Sequence, residues 1–409
     1  MRTRILWVSE CASLPTGFGT VSRNILLRLN ADPNFEVRQL ALSHRGDPEV
    51  SKHMPFPMYP VLRDGSFGDD VFLPILTAYK PHIVVFFGDP WMSKFAFSSI
   101  NETRFIPYEV RKNVKFITYY PIDGVKPHGS WVEQMALADM SVFCAKFAQS
   151  ATKNMNSSIR SVYIPHGVES KTFLPVEEKD RIEYRKQFNL KDNSFLVGMV
   201  ARNQARKDYP QLFRAIKIAK DIIPNLYCYC HAVKVDQGWD LGDLAHQEGV
   251  ADRVIFNHTL QSPSNGISLE EMKYIYNAMD LFVLPTQGEG FGLPLLEAMS
   301  CGVPVLTTDY AATADLVKES GGGELVKAAI YHYRGGDHNI KRPITSETDL
   351  ADKIIGMWKD PEKRKKYGEA GRKFAEKMDW DIVVDDWKKL FRSTMFPEAT
   401  DTIVAKEIV

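Results

Sequence analysis

Short apolar runs alternate along the chain with segments of helical spacing. Residues 5–9 predict a buried strand, and residues 21–29 predict a helix because apolar side chains recur at positions 21, 25, 26 and 29. Residues 36–42 then predict a second strand. The order strand, helix, strand is typical of a parallel sheet with right-handed crossovers.

The alternation of strands and helices continues to about residue 170 and then starts again. Strands are predicted at 83–88, 115–120, 141–144, 195–200, 226–230, 254–256, 281–284 and 303–307. Helices are predicted at 181–189, 208–220, 241–248, 269–278, 293–300, 350–358, 361–378 and 380–395. The pattern therefore predicts an α/β protein with two doubly wound parallel-sheet domains. Residues 45–70 and 332–343 lack periodicity, and we expect the second of these segments to be a surface loop.

One segment has the features of an anion site. An apolar run at 281–284 leads into a glycine-rich turn at 285–292, and a helix is predicted to follow at 293–300. Pro294 suits the first turn of a helix, and Gly302 stands where helices commonly end. A strand, a glycine turn and a helix N-terminus in this order form a common phosphate-binding arrangement.

The backbone amides at the start of this helix are the predicted anion ligands. The N–H groups of Phe291, Gly292 and Leu293 have no partner inside the helix, and the helix dipole adds positive charge there. Gly288, Gly290 and Gly292 would allow a ligand to approach the backbone closely.

Two carboxylates flank these amides. Glu289 lies in the turn, and we expect Glu297, eight residues further on, in the first turn of the helix. Carboxylates only accept hydrogen bonds, and sugar hydroxyls donate them, so phosphate and hydroxyl binding together indicate a nucleotide sugar. A plainer alternative stays open, because a glutamate near a helix start is favourable without any ligand.

A pair of basic residues follows the predicted strand at 195–200. Arg202 and Lys207 would lie at the carboxyl end of that strand, where parallel sheets bind ligands. Arginine and lysine both bind phosphate, and cations stabilise a departing diphosphate. Arg206 competes for the same role, and a solvated basic turn is the structural alternative.

The first half of the chain offers weaker candidates. Gly17 and Gly19 precede the first helix, but Ser22 replaces the third glycine of a dinucleotide fingerprint, which argues against an NAD site. Asp89 and Asp123 each follow a predicted strand. Both suit contact with a substrate, and both also suit an ordinary turn.

Composition narrows the class of protein. The chain has 409 residues, 51 basic and 51 acidic side chains and no net charge, which gives no support to general electrostatic binding of nucleic acid. The five cysteines form no CxxC pair, and no signal peptide or long apolar segment is present. We therefore expect a cytoplasmic protein, with peripheral membrane association left open.

Asp379 and Asp381 form a D-x-D that suits a helix N-cap better than a metal, and we predict no metal site.

Residues 289–297, Glu-Gly-Phe-Gly-Leu-Pro-Leu-Leu-Glu, are followed by Ala-Met-Ser-Cys-Gly-Val-Pro-Val. This stretch resembles the E-x7-E signature of the retaining glycosyltransferases of family 4. The resemblance implies the GT-B fold, in which two Rossmann-like domains face each other across a cleft. It also implies an acceptor-side domain at 1–169, a nucleotide-sugar domain at 170–379, and a helix and tail at 380–409 that cross back to the first domain.

The resemblance further implies transfer of a hexose such as glucose or mannose from a UDP- or GDP-linked donor. The anomeric configuration would be retained, and no metal or other cofactor would be needed. Arg202 and Lys207 match the pyrophosphate clamp of the family. Glu297 matches the residue that accepts from the ribose, and Glu289 matches the one that orients the sugar.

In the first domain, the resemblance places the loop of Gly17 and Gly19 opposite the donor phosphates. It places Asp123 near the transferred sugar, where many relatives have histidine, and it gives His166 a packing role near the hinge. The acceptor stays open between a glycan, a lipid, a small metabolite and a modified nucleobase, and so does the oligomeric state. Two alternatives are a sugar phosphorylase on the same fold and a non-catalytic nucleotide-sugar-binding protein.

Overall fold

The computed structural model describes residues 2–97, 99–100, 103–104, 106–257 and 266–395. Its strands are β1 Thr3–Glu10, β2 Phe35–Leu42, β3 Met58–Pro60, β4 Ile83–Phe87, β5 Ser99–Ile100, β6 Thr103–Arg104, β7 Lys115–Tyr119, β8 Met140–Phe143, β9 Ser161–Tyr163, β10 Phe195–Val200, β11 Leu226–His231, β12 Val254–Phe256, β13 Leu281–Leu284, β14 Val305–Thr308, β15 Gly323–Val326, β16 Ala328–Tyr333 and β17 Lys341–Thr345.

The helices complete the two βα arrays. They are α1 Gly17–Asn30, α2 Pro48–Ser51, α3 Phe72–Tyr79, α4 Lys94–Phe97, α5 Tyr108–Arg111, α6 Gly129–Leu137, α7 Lys146–Met155, α8 Glu178–Lys186, α9 Tyr209–Lys220, α10 Leu241–Gln247, α11 Leu269–Ala278, α12 Leu293–Ser300, α13 Ala311–Ser320, α14 Glu347–Lys359, α15 Pro361–Glu376 and α16 Trp380–Met395. Short 3-10 turns occupy Pro90–Ser93 and Ala205–Lys207. Within the described ranges, none of the helices has both the length and the apolar character needed to cross a bilayer.

The first domain is built on a parallel sheet with the strand order β3-β2-β1-β4-β7-β8-β9. The central strands β1 and β4 are almost entirely buried, as expected when helices cover both faces of a parallel sheet. The carboxyl ends of β1, β4 and β7 therefore lie side by side and present the loops that follow them to the same edge.

The second domain repeats this plan with the order β12-β11-β10-β13-β14-β15. The chain passes from β10 to β11 on one side of β10, whereas β13 pairs with β10 on its other side. The strand order thus reverses between β10 and β13, and ligands of open parallel sheets bind outside the strand ends at such a point. This topology brings the loop after β10 next to the glycine-rich turn after β13.

Strongly periodic elements match their predicted bounds. The strands β10, β12 and β13 and the helices α11, α12 and α16 begin and end at the residues that the pattern indicated. The prediction of two parallel-sheet α/β domains is confirmed.

The prediction of a surface loop at 332–343 holds for residues 334–340, but the two ends of the segment are strands. Residues 332–333 end β16 and residues 341–343 begin β17, and these strands form an antiparallel hairpin that reaches the first domain. Ile340 is only 1% exposed, and it packs so closely on Gly124 that a Cβ at position 124 would lie 2.4 Å from its Cγ2. The amide of Val125 donates to the Tyr310 hydroxyl at 3.3 Å, which ties the second domain to the same loop. The hairpin therefore bridges the two domains.

The last helix packs on the first domain. On α16, Trp387 contacts the indole of Trp7 with ring centroids 5.4 Å apart, and Asp381 accepts from Arg28 of α1 at 2.7 Å. The carboxylate of Asp379 accepts from the Asp381 amide at 2.9 Å, so the interpretation of Asp379 as a helix cap is confirmed.

Candidate functional site

The loops after β10 and β13 are joined by direct hydrogen bonds. The backbone amide of Gln287 donates to the carbonyl oxygen of Arg206 at 2.7 Å, and Arg206 Nη1 donates to the carbonyl oxygen of Gly288 at 2.9 Å. These bonds fix the basic turn against the glycine-rich turn. Residues that are far apart in sequence therefore form one compact site.

Glu289 lies at the centre of this site. Its carboxylate Oε1 forms an ion pair with Lys207 Nζ, lies 3.0 Å from Arg206 Nη1 and accepts from the Thr286 hydroxyl at 2.9 Å. Burial alone would raise the pKa of Glu289, but the positive charges of Arg206 and Lys207 outweigh it and lower the pKa to about 2. The glutamate is therefore ionised at neutral pH.

Lys207 and Arg206 together carry one more charge than Glu289 balances. Burial and the nearby Arg206 lower the pKa of Lys207 to about 8, while Glu289 opposes that shift. Lys207 is still mainly protonated at pH 7. Two cations therefore contact one carboxylate, and Asp123 acts on both cations from a greater distance.

Arg202 lies outside this cluster. Its guanidinium forms two hydrogen bonds to Asp236, at 2.7 Å from Nε and 3.2 Å from Nη2. The sequence favoured Arg202 over Arg206 as the partner of Lys207, whereas the structure places Arg206 beside Lys207 on Glu289. The side chain of Arg202 remains 44% exposed.

The helix α12 begins directly beside Glu289. Gly292 is its N-cap, with φ of 105°, and a Cβ there would lie 2.8 Å from Thr313 Cγ2, so this position requires glycine. Among the residues that the structure describes, none accepts a hydrogen bond from the amides of Phe291 and Gly292. These amides and the amide of Leu293 at the first helical position are available to an anion.

Glu297 lies in the second turn of α12, not in the first, because the helix begins at Leu293. Its Oε2 accepts from the buried Tyr276 hydroxyl at 2.6 Å. Burial raises the pKa of Glu297 to about 7, and the bond from Tyr276 offsets only part of that shift. Sequence reasoning missed Tyr276, because nothing local marks a tyrosine of another helix as the partner of Glu297.

We expect Glu297→Gln to stabilise the protein increasingly as the pH rises from about 4 to about 7. An unfolded glutamate ionises near pH 4.3, whereas the folded carboxyl keeps its proton until about pH 7, so the wild type loses stability across this range. Glutamine preserves the bond from Tyr276 and does not titrate. The gain should reach about 1–3 kcal/mol and stay constant above pH 7.

Urea unfolding of both proteins across this pH range measures the effect. Glu270→Gln is the matched control, because Glu270 lies on α11 with a side chain that is 60% exposed. A gain in the free energy of unfolding that does not depend on pH, or one equal to that of the control, would contradict a raised pKa of Glu297.

The glycine-rich turn also touches the first domain. A Cβ at Gly288 would lie 2.4 Å from the carbonyl oxygen of Asp123, and a Cβ at Gly290 would lie 2.5 Å from that of Pro121. Contact between the two domains therefore accounts for glycine at positions 288 and 290.

Asp123 is held in this contact by Arg342 of the hairpin. Arg342 donates to the Asp123 carbonyl at 2.8 Å and to its carboxylate Oδ1 at 3.1 Å. The same guanidinium binds Asp337 at 2.8 and 3.0 Å. Sequence reasoning missed Arg342, because it lies 219 residues from Asp123 in a segment without periodicity.

Gly17 and Gly19 open α1 in different environments. A Cβ at Gly19 would lie 2.3 Å from the carbonyl oxygen of Leu14, so close packing explains this glycine. Gly17 faces open space, and nothing lies within 4 Å of a Cβ built there. Of the two, only Gly17 leaves room for a ligand next to its backbone.

His166 is a packing residue. It is 5% exposed, and its ring lies 5.5 Å from that of Tyr119 in the first domain and 4.8 Å from that of Phe291 in the glycine-rich turn. Burial lowers the pKa of His166 to about 3, so the ring is neutral. Its position between the domains agrees with the predicted role near the hinge.

The family model of glycosyl transferases group 1 matches residues 180–332. The matched range contains Lys207, Glu289 and Glu297, so the cluster described above lies inside it. The matched range is similar to this family, and it contains the six strands β10 to β15 of the second sheet and both loops of the site.

Curated relatives match about half of the chain or less. The chain is 28% identical over 230 residues to a D-inositol 3-phosphate glycosyltransferase of Stackebrandtia nassauensis, which covers 54% of this chain and 46% of the relative. It is 32% identical over 178 residues to the lipopolysaccharide core biosynthesis mannosyltransferase LpsB of Rhizobium meliloti, covering 41% of this chain and 45% of the relative. The chain spans about half the length of the curated relatives it matches.

Solved structures resemble the whole chain. A sucrose-phosphate synthase from Thermosynechococcus elongatus has a TM-score of 0.75 at 20% identity, over 96% of this chain and 99% of that one. The Anabaena protein HepE, in complex with UDP and glucose, has a TM-score of 0.71 at 16% identity, over 96% of this chain and all of that one. At these identities the likeness shows the fold, and the predicted GT-B architecture is confirmed.

Proposed function

We propose that the protein is a retaining glycosyltransferase that moves a hexose from a nucleotide-diphosphate sugar to an acceptor hydroxyl without a metal. The observation that carries this proposal is the position of Glu289. The glutamate is ionised between Lys207 and Arg206, directly beside the open amides at the start of α12. Cations and free amides suit a diphosphate, and the carboxylate next to them suits a sugar that the diphosphate carries.

The proposed donor lies along the glycine-rich turn. Lys207 and the amides of Phe291 to Leu293 bind the diphosphate, and Arg202 or Arg206 supplies the second cation. Glu289 accepts hydrogen bonds from the sugar. Glu297, one turn into α12, accepts from the ribose hydroxyls, which stabilise its charged form against burial.

In the proposed reaction, the bond between the anomeric carbon and the phosphate oxygen breaks. A bond from the same carbon to the acceptor oxygen forms on the same face of the sugar. The acceptor proton passes to an oxygen of the leaving phosphate, so no protein nucleophile is needed. Negative charge grows on the diphosphate in the transition state, and Lys207 stabilises it there.

Two relatives suggest the donor and the range of acceptors. HepE binds UDP and glucose, which favours a UDP-linked donor, whereas the name of LpsB keeps mannose among the sugars to be tested. The relatives act on acceptors as different as inositol 3-phosphate and lipopolysaccharide core, so their names leave the acceptor class open.

Thermal shift and turnover with UDP-, GDP- and ADP-linked sugars, in the presence of EDTA, test the proposal. A ligand at about a hundred times its dissociation constant stabilises a protein by about 2.7 kcal/mol. We expect one nucleotide sugar to stabilise the wild type and to be hydrolysed slowly. Glu297→Gln should weaken its binding about tenfold or more, because a hydrogen bond to a charged group is lost. Glu270→Gln should bind it like the wild type.

Other outcomes identify the alternatives. Stabilisation by phosphate or a free sugar, with indifference to every nucleotide, would replace the transferase with a phosphorylase. Tight nucleotide-sugar binding without hydrolysis or transfer would indicate a binding protein. Activity that disappears in EDTA and returns with a divalent cation would overturn the metal-independent part of the proposal.

A further inference from the structure

Tyr276 is a buried tyrosine of the second domain whose hydroxyl binds one carboxylate. It lies on α11, the residue is 0% exposed, and its hydroxyl donates to Glu297 Oε2 at 2.6 Å. Among the residues that the structure describes, no other group donates a hydrogen bond to this carboxylate. Tyr276 lies outside the E-x7-E signature that contains Glu297, so the family resemblance assigns it no role.

Packing fixes the position of the Tyr276 ring. Its centroid lies 5.8 Å from that of Phe173, in the segment that joins the two domains, and 6.0 Å from that of Phe282 in β13. Phe173 is 2% exposed, and its carbonyl oxygen accepts from the Ser300 hydroxyl at 2.6 Å. A glutamate side chain rotates about several bonds, whereas the ring of a packed tyrosine holds its hydroxyl in one place. The tyrosine therefore orients the glutamate.

The bond from Tyr276 leaves the second oxygen of Glu297 for a ligand. Oε2 is occupied, whereas no group within the described ranges donates to Oε1. Glu297 is only partly buried, and Oε1 is not enclosed by protein. A carboxylate oxygen in this state accepts hydrogen bonds from hydroxyls that approach from the open side.

We propose that Tyr276 is a positioning residue that makes the donor site select ribose over deoxyribose, because it holds Glu297 with Oε1 directed at the ribose hydroxyls. This inference rests on the proposed function, in which Glu297 accepts from the ribose. It adds the residue that sets this selectivity and the chemical group, the ribose diol, that is recognised.

A purely structural role makes a different prediction. If Tyr276 only satisfies a carboxyl inside the fold, its hydroxyl contributes to stability, and its loss weakens all nucleotides equally. If Tyr276 positions Glu297, its loss weakens only nucleotides that carry the ribose hydroxyls. The ratio of two affinities therefore separates the roles, whereas a change in stability does not.

The test compares a ribonucleoside diphosphate with its 2′,3′-dideoxy form in the full-length protein. The base is the one selected in the panel above, so a uridine donor is represented by UDP and 2′,3′-dideoxy-UDP. Isothermal titration calorimetry gives both dissociation constants for the wild type, Tyr276→Phe and Tyr274→Phe. Tyr274→Phe is the matched control, because Tyr274 lies on the same helix and its ring stacks on Tyr184 at 5.5 Å. Thermal unfolding shows whether each variant is folded.

We expect the wild type to bind UDP about ten- to a hundredfold more tightly than the dideoxy form, as for a hydrogen bond to a charged group. Tyr276→Phe keeps the ring and its packing on Phe173 and removes only the hydroxyl. It should reduce the preference about three- to tenfold, mainly through weaker binding of UDP. Tyr274→Phe should keep the preference of the wild type.

A second pair of variants tests whether Tyr276 acts through Glu297. In Glu297→Ala the preference should already be lost, and adding Tyr276→Phe should reduce it no further, because two residues that act as one unit are not additive. A further loss in the double variant would show that Tyr276 does not act through Glu297, and would overturn the inference.

The remaining outcomes separate the inference from the proposed function. An unchanged preference in Tyr276→Phe would overturn the inference alone. A wild type that binds UDP and its dideoxy form equally would overturn the ribose contact of Glu297 and the inference, but not transfer from a nucleotide sugar. A wild type that binds no nucleotide would overturn the proposed function, and the inference with it.

Discussion

Lys207→Ala is expected to lower kcat for sugar transfer about 100- to 1,000-fold, the usual effect of removing one group that stabilises developing negative charge. Lys207 is the more deeply buried of the two cations on Glu289, with a side chain that is 10% exposed against 33% for Arg206. Its charge therefore acts with little screening. Steady-state kinetics with the preferred donor measures the change in kcat and KM separately.

A comparison of the change in kcat with the change in UDP affinity distinguishes transition-state stabilisation by Lys207 from simple binding of the donor. Charge on the diphosphate is greatest in the transition state, so kcat should fall more than UDP affinity does. Lys217→Ala on α9 is the control, because Lys217 is exposed and lies outside the site. A variant at 207 with weaker UDP binding but unchanged kcat would mean that the lysine binds donor and transition state equally.

The same experiment decides between the two arginines. Arg206 contacts Glu289, whereas Arg202 is bound to Asp236 and must leave that partner to reach a diphosphate. If Arg206 is the second cation, Arg206→Ala should resemble Lys207→Ala in kcat, and Arg202→Ala should have a smaller effect. The reverse order would show that Arg202 changes partners when the donor binds.

The sequence predicts the strand, glycine-rich turn and helix around Glu289 well, because these elements are local. The strand β13, the glycine-rich turn and the helix α12 follow one another within twenty residues, and each has its own signal in apolar spacing, glycine or proline. The meeting of Lys207 with Glu289 follows from topology once β10 and β13 are recognised as neighbours. The error at Glu297 is only one helical turn.

The parts that the sequence could not predict depend on contacts between distant segments. The buried residues of β17 include Arg342, and a buried arginine breaks the apolar pattern from which strands are read. Its burial is possible only because Asp123 and Asp337 neutralise it.

Arg342→Ala is expected to release the hairpin of β16 and β17 from the first domain. The Arg342 side chain is 3% exposed and joins Asp123 to Asp337, so its loss leaves two part-buried carboxylates without their cation. Breaking a buried ion pair by removing one partner typically costs about 3–5 kcal/mol. The local free energy of hairpin opening should fall by that amount, which accelerates amide exchange about a hundredfold or more.

Hydrogen exchange followed by mass spectrometry on peptides from residues 328–345 measures this opening directly. A local measurement is preferable, because the hairpin can open without unfolding of the rest of the chain. Lys341→Ala is the matched control, since Lys341 is exposed and its carbonyl, not its side chain, accepts from Tyr310. Exchange in the hairpin that stays slow in Arg342→Ala would show that packing of Ile340 on Gly124 suffices to hold the hairpin across the domains. Fast exchange that spreads to the peptides around Asp123 would show that one arginine fixes both the hairpin and the loop that follows β7.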